Sequence, residues 1–232
     1  ELGKHDEART AFDAARKASA DYPGATIGLA RLVLMNRDTA TATQLIEQAA
    51  KAHPDDVSLL LFQAGLQRAQ GNVQGALGLY GKVISVKPGD VNARLARAEV
   101  EIGLNKLADA KADIEAARKT ALNTLPVLQA QAHLDYVEKK YSAARDGVQQ
   151  ILRAAPEHKP SLLLAGATEL ALGSSQQAEQ YLKKYTEEDS DNRFANKLIV
   201  NAGLLDGQAD RAVSFVDAAL KKLKSEKAIV DE

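Results

Sequence analysis

One spacing restricts this chain more than any other property. Counting from Ala8 in steps of 34 residues meets Ala42, Ala76, Ala110, Ala144, Ala178 and Ala212, alanine at seven of seven positions. A period between about 20 and 50 residues marks a repeat architecture and overrides local readings of single elements. Four residues beyond each alanine stands a large apolar side chain: Phe12, Ile46, Tyr80, Ile114, Val148, Leu182 and Val216. One helical turn separates the two columns, so they share one face of a helix.

A second small column runs twelve residues ahead of the alanines: Ala30, Ala64, Ala98, Ala132 and Gly166, with Val200 the exception. Small side chains on two helices let their backbones approach, so each period reads as a helix-turn-helix hairpin. Gly3, Gly71, Gly173 and Gly207 share a place between the columns. A residue just past a helix end takes positive φ there, at little cost for glycine. Arg37, Asn105 and Lys139 fill that place elsewhere, which predicts a tolerant turn. All six prolines (Pro23, Pro54, Pro88, Pro126, Pro156 and Pro160) fall at junctions between periods. Proline fits a helix's first turn or follows its end, so this placement suits a hairpin array. The frame makes 1–22 a lone second helix, followed by full repeats at 23–56, 57–90, 91–124, 125–158, 159–192 and 193–226, read together as a single domain over 1–232.

These residues resemble the tetratricopeptide repeat, a helical hairpin of about 34 residues. Repeat 57–90 places Ala64, Gly71, Ala76, Tyr80 and Pro88 where that family has a small residue, glycine, alanine, a bulky apolar group and proline. The resemblance covers the whole chain. It implies an all-α fold, a right-handed superhelical α-solenoid whose concave face is lined by the first helix of each hairpin. It also implies a non-enzymatic protein-interaction scaffold. The chain departs from the family in its first helices. The eleventh place of the repeat, usually large and apolar, holds Gln67, Glu101, Asp135 and Glu169, whereas the fifth and twelfth hold pairs such as Ile27 and Leu34, Leu95 and Ile102, or Leu163 and Leu170. The expectation is a first helix rotated or shifted by one residue. Within the family, "LLLAGATELALGSSQQAEQYLKK" following "ILRAAPEHKPS" resembles the tetratricopeptide lipoproteins encoded beside bacterial exosortase (PEP-CTERM) and exopolysaccharide systems. That narrower resemblance implies a lipid-anchored, exported parent in the periplasm or envelope, with the cytoplasm left open.

Composition removes other classes. Thirty basic against 31 acidic residues, 4% aromatics and no Trp leave no basic, aromatic-laced stripe of the kind nucleic acid selects. Without cysteine there is no disulfide or thiolate site, and no run of 18 apolar residues exists to insert in a membrane. His5, His53, His133 and His158 fall at no metal-ligand spacing, and neither a G-x-S-x-G elbow nor a phosphate loop occurs. The pairs Asp55–Asp56 and Glu187–Glu188 read as turn charge, Ser174 and Ser175 as turn formers, and lysines 221–227 as helix-end cations. No catalytic residue, cofactor or metal is expected.

The family's groove places select Arg31, Leu34, Arg68, Glu99, Ile102, Gln129, His133, Tyr136, Leu170, Lys197 and Asn201, with Leu61, Leu163 and Leu204 beside them, as the face that meets a protein or peptide ligand. For each leucine a core position is an equal alternative. Lys197 and Asn201 repeat the Lys-x-x-x-Asn spacing of the family's carboxylate-clamp members, but the further cations that a clamp draws from later repeats are missing. The ligand would enter as a helix or an extended segment. The half repeat at 1–22 and the short tail after 226 predict apolar faces around Phe12 and Val216 that are exposed or used in self-association. Two other functions stay open: an RNA-binding helical-repeat protein, whose period is usually about 35, and the regulatory arm of an enzyme encoded elsewhere in the full chain.

Overall fold

Among the described residues, each repeat begins a helix at its first place, and the repeats from 23–56 to 159–192 begin another at the seventeenth. The computed structural model describes residues 22–187, 192–205 and 207, together with 7, 10–12 and 14. Among these lie α1 (Pro23–Met35), α2 (Thr39–Ala52), α3 (Val57–Ala69), α4 (Val73–Val86), α5 (Val91–Gly103), α6 (Leu107–Thr120), α7 (Leu125–Val137), α8 (Tyr141–Ala154), α9 (Lys159–Ala171), α10 (Ser175–Thr186) and α11 (Arg193–Leu205). The described residues form no strand, so the fold is all-α, in the α-solenoid class of helix-turn-helix repeats. The readings made for Gly3, His5, Ala8, Glu188, Ala212, Val216 and lysines 221–227 lie outside the described residues. Two compact units divide the chain, Glu1–Leu122 and Asn123–Glu232. Within each, the helices of a hairpin pack on one another and on the next hairpin, and the first helices α1 with α3, α7 with α9, and α9 with α11 also touch.

The starts and stops have local causes. Asp56, Asp90 and Asn192, in the last place of their repeats, accept the backbone N–H of Leu59, Ala93 and Ala195 at 2.9, 2.9 and 3.0 Å. Each thereby satisfies one of the orphan donors of a helix's first turn. Asp38 and Asn72 do the same for Thr41 and Gly75 within the hairpin turn. Asp55, by contrast, pairs with Lys82 at 3.1 Å. Every described first helix ends in a left-handed residue, with φ of 60° at Arg37, 80° at Gly71, 59° at Asn105, 61° at Lys139, 78° at Gly173 and 69° at Gly207. The next N–H reaches back to the eleventh-place carbonyl, as in Asn72 to Gln67, Lys106 to Glu101, Lys140 to Asp135 and Ser174 to Glu169, all at 2.8 Å. This is the Schellman closure. The turn therefore tolerates side chains by keeping its geometry, at about 1–2 kcal/mol for each non-glycine held there.

The two small columns meet in the core. Ala30, Ala42 and Ile46 form one cluster and Ala64, Ala76 and Tyr80 another, all nearly sealed from solvent. The third, eighth and tenth places of the first helices are buried (Leu59, Ala64 and Leu66; Ala93, Ala98 and Val100; Val127, Ala132 and Leu134), whereas Ile27, Leu61, Leu95 and Leu163 at the fifth are only half-buried. What turns inward at the eleventh place is charge: Glu101 is 8% exposed and Glu169 3%. Each sits near a guanidinium, Arg97 at 3.7 Å and Arg145 at 3.8 Å. Asp135 accepts from Gln131 at 3.1 Å.

Asp113 of α6 organises the largest of these buried charge groups. Arg97 donates to it through Nε at 2.6 Å and Nη2 at 2.8 Å, and Arg94 through Nη1 at 2.9 Å. Glu101 lies alongside, and its Oε2 is buried with no hydrogen-bond partner among the described residues. Burial first, then repulsion from the Asp113 carboxylate, pushes Glu101 up to about 7, against the opposing pull of Arg97. The folded chain thus keeps a proton that the unfolded chain releases near pH 4.3. Because the native state binds more protons across that interval, this group makes stability fall as pH rises from about 4.3 to about 7. Glu101→Gln, uncharged at every pH, will raise the urea midpoint at pH 8 while leaving it nearly unchanged at pH 4.5. Equal midpoint shifts at both pH values would contradict this.

Candidate peptide-binding face

In Asn123–Glu232 the first helices α7, α9 and α11 lie side by side, and their corresponding places align into rows. The twelfth and thirteenth places supply Tyr136 and Val137, Leu170 and Ala171, then Leu204 and Leu205. Together with Ala167, Leu198 and Asn201, most of these residues line an open concavity of about 440 Å³, a volume within the range of ligand-sized pockets. Leu204 is 56% exposed and Leu205 67%. Large apolar groups that open to solvent next to a concavity are an unpaid hydrophobic cost unless something covers them. Tyr136 forms the opposite wall, its ring 5.6 Å from that of Tyr141. Burial raises its phenol above the ordinary value, with Tyr141 adding to the effect, so it stays a neutral donor.

The polar members sit one or two turns toward the helix starts. His133 is half-buried, and Lys197 and Asn201 are exposed on α11, one turn apart on one face. Gln129 is already engaged, its amide oxygen accepting from Ser161 Oγ. Ser161 in turn accepts from His158 Nδ1 at 2.8 Å, and burial lowers the pKa of that imidazole.

Glu1–Leu122 presents a different surface. Arg31 is exposed and its guanidinium carbon lies 5.9 Å from the centre of the Phe62 ring, a cation–π contact. Arg31, Ile27, Leu32, Tyr22, Asp56 and Ser58 border a second concavity of about 660 Å³, closed on one side by Phe12. The Phe12 ring is half-buried and seated over Gly28, where an added Cβ would come within 2.5 Å of it. Arg68 and Glu99 are exposed. Two expected groove residues belong elsewhere: Ile102 is buried at 5% exposure, and Leu34 packs against the Ala30–Ile46 cluster. The family's groove places select both, and a place number does not separate a groove edge from the adjoining core.

Sequence reasoning also missed Leu198 and Leu205. Their signal was present, because Phe194, Leu198, Asn201 and Leu205 follow the 4-3-4 spacing of a seam that accepts another helix. Among the described residues no group of three potential metal ligands gathers, and no helix is long and apolar enough to cross a membrane.

Comparison with known proteins supports the repeat fold. A tetratricopeptide-repeat family model matches residues 1–65. A tetratricopeptide repeat protein from Parabacteroides merdae superposes with a TM-score of 0.75 at 16% identity, covering 95% of this chain and 87% of that one. PilW, described as a widely conserved type IV pilus biogenesis factor, gives 0.73 at 20% identity over 83% of this chain and 90% of its own. A thermophilic tetratricopeptide protein of Thermus thermophilus gives 0.67 at 17%, over 79% and 100%. No curated protein matches by sequence. The chain shares the fold of these tetratricopeptide-repeat proteins.

Proposed function

We propose that this chain is an interaction scaffold that holds a peptide or helical segment of another protein on the α7–α9–α11 face. The observation that carries the reading is the concavity between Tyr136, Leu170 and Leu204, built from three successive first helices and rimmed by apolar side chains left open to solvent. Covering it would remove apolar surface worth about 25 cal/mol per Å². The polar groups at Asn201 and His133 would set register rather than affinity.

The setting we propose is the bacterial envelope, within exopolysaccharide assembly or surface-protein sorting. It is supported by the resemblance of residues 151–184 to lipoproteins of those systems. Affinity capture from an envelope extract, run in parallel with wild-type protein and Leu204→Asp, tests both parts. Envelope proteins retained by the first and lost from the second are the expected result. Capture that ignores Leu204→Asp would rule out the face, and partners that are all cytosolic would rule out the setting.

A further inference from the structure

The α7–α9–α11 face has a second property besides its concavity. Its first-, second-, fifth-, ninth-, twelfth- and thirteenth-place positions contain no Asp or Glu on any of the three helices. Cations occur only toward the helix starts, as Lys159 on α9 and the exposed Arg193 and Lys197 on α11. Among the described residues, the acids nearby are engaged: Glu169 is buried near Arg145, Asp135 accepts from Gln131 and Glu138 pairs with Lys140 at 2.6 Å. On α9 and α11 the face therefore carries its cations near the helix starts and its apolar concavity near the helix ends. Lys197 precedes Leu204 by seven residues of helix, about 10 Å at 1.5 Å per residue.

We infer that the occupant is an acidic amphipathic helix lying across α7, α9 and α11, its apolar stripe in the concavity and its carboxylates over Lys197 and Arg193. An α-helix with side chains is about 10–12 Å wide, so one helix spans the cations and the concavity, whereas a single extended strand would engage only one of them. The seam of half-buried Leu198 and exposed Leu205 on α11 supplies the holes for its apolar knobs. This inference rests on the reading of the face as a peptide site and adds the charge and shape of what fills it.

Fluorescence anisotropy with three labelled 18-residue helical probes tests it. The first carries leucines at i, i+3, i+4 and i+7 with glutamates on the adjoining face, the second replaces the glutamates with lysines, and the third replaces the leucines with serines. The acidic probe should bind about tenfold or more tightly than the lysine probe, since like charges across an interface are strongly disfavoured. The preference should shrink in 0.5 M salt. Arg193→Glu combined with Lys197→Glu should reverse it, and acidic residues in a helix's first turns do not harm folding. Equal binding of the acidic and lysine probes would overturn the inference and leave the peptide face standing. Binding of none of them, or of the serine probe as well as the leucine probes, would overturn both.

Discussion

Asp113→Ala will destabilise the Glu1–Leu122 unit by about 3–5 kcal/mol, the cost of stranding a buried charge whose partner has been removed. Asp113 is 3% exposed and receives three charge-assisted hydrogen bonds, two from Arg97 and one from Arg94. Its loss leaves the partly buried Arg97 guanidinium with the Glu101 carboxylate and the weaker pull of Asp109, and Arg94 with the Pro88 carbonyl it already holds at 2.9 Å. Side-chain bonds of the Asp113 type help fix α5 on α6, so the loss should appear as a lower urea midpoint with an unchanged slope. Asp109→Ala, an exposed carboxylate one turn earlier on α6, should stay within about 0.5 kcal/mol of wild type. A deficit below about 1 kcal/mol for Asp113→Ala would mean that the cluster is solvated in practice.

That cluster also marks where sequence stopped being informative. The period, the helix starts and the two small columns were legible because each is local or repeats at a fixed interval. A glutamate at the eleventh place reads as exposed, since a carboxylate is seldom buried alone. Arg97 stands four residues before Glu101, a spacing a helix reading pairs, whereas Arg145, which lies near Glu169, is on a neighbouring helix and nothing in residue identity announces that pairing. The caps Asp56, Asp90 and Asn192 were readable in principle: they recur in the last place of the repeat, just ahead of a helix. On the candidate face the family frame located Tyr136, Leu170, Asn201 and Leu204. It could not separate Ile102 and Leu34 from them, because depth relative to the next helix, not hydrophobicity, decides which leucine is floor and which is core.

The core itself holds a coupling that repetition makes testable. Opposite the eighth place of each described full hairpin stands the bulky apolar residue of the second helix: Ala30 with Ile46, Ala64 with Tyr80, Ala98 with Ile114, Ala132 with Val148, but Gly166 with Leu182. A methyl group on Gly166 would fall 2.5 Å from Leu182 Cγ and 2.6 Å from Cδ2, and Leu182 is fully buried with nowhere to retreat. Gly166→Ala gains up to about 1 kcal/mol of helix propensity and incurs overpacking of about 1–3 kcal/mol. The expected net result is a loss of stability in Asn123–Glu232. Leucine branches at Cγ, the atom in collision; isoleucine and valine branch one carbon earlier, and they are what three of the alanine-bearing hairpins carry. Adding Leu182→Ile to Gly166→Ala should therefore recover most of the loss, although Leu182→Ile alone destabilises by up to about 1.5 kcal/mol. A double-mutant cycle measured by urea unfolding should yield a favourable coupling of about 1 kcal/mol or more, the signature of two residues that share one space. Strict additivity would show that the contact relaxes by backbone movement instead.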